Sequence, residues 1–137
     1  MWAIGGSLEE EKDMKIVVDA MGGDYAPAVV IDGAIAAVRE YSAEVILVGD
    51  EAKIKSLLKK AKYSGNNILV HPASEVIEMS ESAASSIRRK RDSSIVAGIN
   101  LIKEAQGDAF FSAGNTGAVV CAATLTLGLL PGIERPG

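Results

Sequence analysis

Short β-branched apolar runs alternate along this chain with longer segments whose apolar residues recur every three or four positions. Residues 15–19 (KIVVD) read as a compact strand, followed by the turn-rich stretch AMGGDYAP. From Pro27 onward, Val30, Ala34, Ala37 and Val38 keep helical spacing up to Arg39. Pro27 suits a first helical turn, where its missing N–H would have no partner in any case. Residues 44–48 (EVILV) form a second strand, stopped by Gly49 and Asp50. Ile54, Leu57, Leu58 and Ala61 then sit at i, i+3, i+4 and i+7, an amphipathic helix with lysines on its outer face. Residues 67–70 (NILV) make a third strand closed by His71 and Pro72, and residues 73–92 show only weak periodicity. Ile95, Ile99 and Ile102 resume helical spacing, with Ser93 or Ser94 as the N-cap. Residues 109–111 (AFF) give a short fourth strand, and SAGNTG leads into an apolar helix.

Strands of nearly unbroken apolar character separated by helices predict a parallel sheet covered on both faces, an α/β fold in three layers. Ligands of such sheets bind beyond the carboxyl ends of the strands, where helices begin. Here those ends carry DAMGGD, Gly49-Asp50, His71-Pro72 and SAGNTG. The first and last are rich in glycine and polar residues, so the site is expected between them.

Composition adds limits. At 137 residues, 48% apolar, 23% charged and a mean hydropathy of +0.21, the chain is a folded domain and neither a disordered tail nor a collagenous repeat. Its single cysteine, Cys121, excludes an intramolecular disulfide and fits a reducing compartment; with one histidine, His71, no Cys/His metal site is expected. A net charge of −4 argues against generic nucleic-acid binding. Residues 1–13 lack the basic start of a signal peptide and read as a flexible or cloning-derived extension, with Met14 opening the folded part. The apolar run 118–130 covers 13 residues, whereas a membrane span needs about 20. It is expected to be a buried helix.

Two loops carry the candidate chemistry. In residues 112–117, Gly114 and Gly117 let backbone curl tightly and approach a ligand, while Ser112, Asn115 and Thr116 offer side-chain hydrogen bonds and can cap the next helix. The N–H groups and positive end of that helix suit phosphate or another oxyanion. An ordinary strand-to-helix turn would use the same residues. In residues 19–24, Gly22 and Gly23 allow a sharp turn, and Asp19 and Asp24 bring carboxylates to the sheet edge. These can orient a basic residue, hold a cation through water, take part in proton transfer, or merely bond their own backbone. Neither G-x-G-x-x-G nor the P-loop pattern is present, which disfavours a standard dinucleotide site or P-loop. Arg88, Arg89, Lys90 and Arg91, followed by Ser93 and Ser94, form the one dense basic segment. Such a run is a phosphate clamp, a docking patch for an acidic protein, or a solvated helical face. Cys121 on its apolar helix reads as a small buried thiol, and His71 as structural.

The strings VVDAMGGDYAP, EVIEM followed by SIRRKRDSSI, and FFSAGNTGA occur in the order and spacing of one family. The chain from Met14 onward resembles the start of the bacterial phosphate acyltransferases of phospholipid synthesis, the PlsX family. Ala83, Ile95 and Gly137 depart from the residues usual there, which are proline, methionine and alanine. The resemblance covers only the amino-terminal part of that family. It implies a Rossmann-like fold similar to phosphotransacetylases and the isocitrate dehydrogenase group. It also implies transfer of a long-chain acyl group from acyl carrier protein to inorganic phosphate. A homodimer in the cytoplasm, able to associate peripherally with the membrane, is implied, with no metal, organic cofactor or nucleic acid. On this reading Asn115, Asp19 and Asp24 are the catalytic candidates. Gly22, Gly23, Ser112, Gly114, Thr116, Gly117, Arg88, Arg89, Lys90, Ser93 and Ser94 are the phosphate- or substrate-binding ones. The alternatives are a non-catalytic phosphate- or nucleotide-binding α/β module and a coenzyme-A-dependent phosphotransacetylase.

Overall fold

The structure, a computed structural model, describes residues 14–136; the expected extension over residues 1–13 lies outside them. Strand β1 (Met14–Asp19) leads to helix α1 (Ala28–Glu40), β2 (Ala43–Gly49), α2 (Glu51–Lys60) and β3 (Ile68–Pro72). The chain then forms α3 (Ala83–Arg89), α4 (Ser94–Lys103), β4 (Ala109–Phe111) and α5 (Thr116–Leu127). All pairings are parallel and the sheet order is β3-β2-β1-β4. Val17 faces Ile46 and Phe110, and Val18 faces Leu47 and Phe111, across the ladders.

Alternation along each strand divides the core between the two faces of the sheet. Val18, Val45, Leu47 and Ile68 pack with Ile31, Ala34 and Ile35 of α1 and Ile54 of α2. Val17, Ile46 and Val48 pack on the other face with Ala97 and Leu101 of α4. A third cluster joins Ile77 and Ile87 to Ile95 and Ile99 of α4 and Ala118 and Ala122 of α5. The result is the expected three-layer, Rossmann-like α/β arrangement.

Four local expectations are corrected. Pro27 is the N-cap of α1 rather than a residue of its first turn. His71 and Pro72 extend β3 because they pair with Val48 and Gly49 of β2. The weakly periodic stretch contains α3, whose seven residues are too few for a clear apolar stripe. Helix α5 ends at Gly128, whose φ of 80° suits glycine, and only Ala118 and Ala122 along it are buried. Cys121 is accordingly half-buried. No helix among the described residues is long and apolar enough to cross a membrane.

Candidate functional site

Sheet order places the candidate site. The chain runs outward from β1 to β2 and β3, then returns to the opposite side of β1 as β4. The crevice beyond the carboxyl ends of β1 and β4 is therefore where strand order reverses, the position at which open α/β sheets receive ligands. The two glycine-rich loops leave from these two strands.

Asp19, the last residue of β1 and only 1% exposed, joins them. Its Oδ1 accepts the N–H groups of Met21 (3.0 Å) and Gly22 (3.1 Å), and its Oδ2 accepts the Ser112 hydroxyl at 2.7 Å. Ser112 Oγ in turn accepts the Gly114 N–H at 3.0 Å. Buried carboxylates are tolerated when such donors replace water, and here they lock both turns into one body. The fit requires glycine. A Cβ on Gly22 would lie 2.4 Å from Asp19 Oδ2 and 2.8 Å from the Gly114 nitrogen, and Gly23 has a φ of +110°.

A third wall comes from residues 76–81, where the sequence pattern gives no signal. Asn115, 8% exposed, holds it from one side. Its Oδ1 accepts the Ala118 N–H at 3.0 Å and caps α5, while its Nδ2 donates to the carbonyls of Glu78 (3.1 Å), Met79 (3.4 Å) and Glu81 (3.0 Å). Glu81 and Lys90 hold it from the other. Glu81 Oε1 accepts the Glu78 N–H at 2.9 Å and also meets the Lys90 ammonium, and Oε2 accepts the Ser86 hydroxyl at 2.9 Å. Lys90 Nζ donates to the Val76 carbonyl at 2.6 Å as well. The Glu78 N–H, the Lys90 ammonium and the Ser86 hydroxyl together hold the Glu81 carboxyl down at about 2.

Between these walls lies a cleft of about 370 Å³, lined by Met21, Gly22, Gly23, Asp24, residues 76–80 and Gly114. Of the expected site residues, Gly22, Gly23, Asp24 and Gly114 line it. Asp19 and Ser112 stand behind the lining as the joint between loops, and Asn115 is occupied at both ends of its amide. Thr116 and Gly117 are exposed at the start of α5, where a Cβ on Gly117 would sit 3.3 Å from that of Ala83. Lys90 is a brace. Arg88, Arg89 and Arg91 are exposed and outside the lining. Ser93 is buried as the N-cap of α4, accepting the Val96 N–H at 3.3 Å, and Ser94 is buried beside it. Asp92 ties this segment to Ser74, whose hydroxyl and N–H lower its carboxyl below the usual range.

The lining thus offers backbone, the Ser80 hydroxyl and two carboxylates, Asp24 and Glu78, but no cationic side chain. No group of three or more histidine, cysteine or acidic side chains able to hold a metal occurs among the described residues. The glycines keep side-chain bulk out of the cleft, but the N–H groups of Gly22 and Gly114 are already given to Asp19 and Ser112, so of the three only that of Gly23 is left to turn toward an oxyanion. An anion in this cleft would meet no cationic side chain of the lining.

Comparison with known proteins converges on one group. The family model described as "Fatty acid synthesis protein" matches residues 14–137. A protein of Myxococcus xanthus named phosphate acyltransferase is 51% identical over 124 residues, covering 90% of this chain and 35% of the relative. Proteins of the same name from Herpetosiphon aurantiacus and Dictyoglomus turgidum are 49% and 50% identical over 123 residues, covering 33% and 37% of those relatives. The chain therefore spans about a third of the length of the curated relatives it matches, their amino-terminal third.

Proposed function

The chain belongs to the fatty acid synthesis protein family, and from that premise we propose that it is the amino-terminal part of a phosphate acyltransferase. In this reading a long-chain acyl group passes from acyl carrier protein to inorganic phosphate. The observation that carries it is the glycine-built cleft at the strand-order reversal, where the DAMGGD and SAGNTG loops are locked together through Asp19 and Ser112. The names of the relatives supply the reaction class.

The chemistry asks little of a side-chain nucleophile, because phosphate is itself the attacking group. A phosphate oxygen adds to the thioester carbonyl, the C–S bond breaks, and the thiolate leaves to take up a proton as the thiol. Acyl phosphate is the product. The protein must bind the anion, align it with the carbonyl and stabilise the oxyanion that develops. Gly22, Gly23 and Gly114 leave room for the anion to approach backbone, and the Gly23 N–H, the one of the three not given to Asp19 or Ser112, serves the first two tasks. Asp19, Ser112, Asn115, Glu81 and Lys90 act as positioning residues that fix the walls. Asp24, exposed at the cleft, stands where it can relay the phosphate proton. The exposure of Arg88, Arg89 and Arg91 outside the cleft supports a role for them in meeting the acidic carrier protein. A homodimer at the cytoplasmic face of the membrane is the assembly this reading takes from the family.

The test is thiol release from a long-chain acyl thioester, with the chain continued by the carboxy-terminal portion of the Myxococcus xanthus relative. Release that depends on phosphate and prefers the carrier-protein thioester is expected. A Gly22→Ala variant, whose Cβ meets Asp19 and the Gly114 backbone, should lose at least tenfold in kcat/KM. A preference for the coenzyme A thioester would replace this reading with a short-chain phosphotransacetylase. Phosphate binding without turnover would leave a non-catalytic module.

A further inference from the structure

We propose that Met21 and Met79, on two walls of the cleft, select the acyl donor by receiving the methylene chain next to its thioester carbonyl. The proposal rests on the acyl-transfer reading and deepens it by assigning the residues that sense the acyl chain.

The 76–81 wall has few polar backbone groups left for a ligand. The Val76 carbonyl accepts from Lys90 Nζ at 2.6 Å, and the carbonyls of Glu78, Met79 and Glu81 accept from the Asn115 amide at 3.1, 3.4 and 3.0 Å. The Glu78 N–H is given to Glu81. What the wall keeps for a ligand is chiefly its side chains. Ile77 is 3% exposed and anchors the wall in the cluster of Ile87, Ile95 and Ile99. Two positions on, Met79 is 59% exposed although its backbone is pinned by Asn115. An apolar side chain left open to water on fixed backbone, at the lining of a cleft, gains from burial only when a ligand arrives.

Met21 completes this apolar flank from the loop after β1. Its N–H is held by Asp19 Oδ1 at 3.0 Å. Its side chain lies across the carboxyl end of β2, where a Cβ on Gly49 would come within 2.5 Å of its Cγ and 2.8 Å of its Sδ. Half-buried there, Met21 still lines the cleft. Methionine is unbranched and polarisable, so it adapts to a flexible chain more readily than a branched or aromatic side chain does. The uncommitted Gly23 N–H lies two residues further along the same loop. A phosphate at Gly23 and methylenes on the two methionines would set the thioester carbonyl between them.

The test uses the chain continued by the carboxy-terminal portion of the Myxococcus xanthus relative, with palmitoyl and butyryl thioesters of one carrier protein. Met79→Ser is expected to lower the palmitoyl-to-butyryl ratio of kcat/KM about tenfold, the effect of losing one or two methylene contacts. Met79→Leu, which keeps apolar volume, should hold the ratio within about twofold of the wild type. Met79 belongs to none of the three buried clusters, so equal urea midpoints are expected for all three proteins. With isotope-labelled methionine, the Met79 methyl NMR signal is identified by its absence in Met79→Leu. It should shift on addition of the palmitoyl thioester without phosphate, and stay in place on addition of inorganic phosphate alone. An unchanged ratio in Met79→Ser would overturn the proposal. So would an equal loss with both thioesters, which would assign the wall to the thiol-bearing arm of the donor. A methyl signal that moves with phosphate alone would overturn it too. A thioester that shifts this signal but is never turned over would uphold the contact and overturn the acyl-transfer reading instead.

Discussion

Glu81 shows how much a single side chain can be asked to hold. Its carboxylate accepts from the Glu78 N–H, the Ser86 hydroxyl and the Lys90 ammonium at once. Its folded value of about 2 lies below the ordinary 4.5. The stabilisation is therefore fully present above about 4.5 and is lost as pH falls toward 2. Urea unfolding of the wild type should weaken more steeply between pH 5 and pH 2.5 than that of Glu81→Gln. Asp50 and Asp92 are lowered as well, so the difference between the two proteins, rather than either slope, isolates Glu81. Parallel slopes would contradict the assignment. None of this was legible in the sequence. Lys90 reads there as one member of a basic run, and its inward turn depends on a partner nine residues away, at the other end of α3. Gly22 and Gly114 were legible as turn glycines, because each follows closely on a strand end in a polar, glycine-rich loop. That they meet each other was not, since the contact spans two loops distant in the chain.

Asn115 acts at the scale of the element. As N-cap it satisfies the first turn of α5, and with its amide nitrogen it ties that turn to the 76–81 wall. Asn115→Ala should cost about 2 kcal/mol of stability, from the lost cap and the carbonyls left without a donor. Asn115→Asp keeps the cap acceptor but sets a carboxylate against those carbonyl oxygens, so it should recover none of the loss. The urea midpoints of the two variants decide the point, and full recovery by aspartate would show that the cap alone matters. Helices α1, α2 and α4 and all four strands follow the apolar pattern because each packs one stripe or face on the sheet. Residues 73–92 do not, because side-chain and backbone hydrogen bonds hold them rather than a repeating apolar face. The apolar run after Asn115 misleads for a different reason. Its composition is that of a buried helix, but among its residues only Ala118 and Ala122 are buried.

At the scale of the whole molecule, parallel strands and helices on both faces were readable from period alone, and so was the sheet edge at which the two glycine-rich loops emerge. Strand order was not, and it is strand order that brings the ends of β1 and β4 together. The cleft between them is walled by glycine backbone, with Asp24 and Glu78 as its charged lining residues. On the proposed reading, a phosphate dianion there would draw its positive charge from outside this lining. The most direct test follows backbone amide NMR signals of the continued chain during titration with inorganic phosphate. Saturable shifts at Gly22, Gly23 and Gly114, with Arg88, Arg89 and Arg91 unmoved, are the predicted result. Shifts confined to the three arginines, or an unmoved cleft while phosphate-dependent thiol release proceeds, would contradict the account.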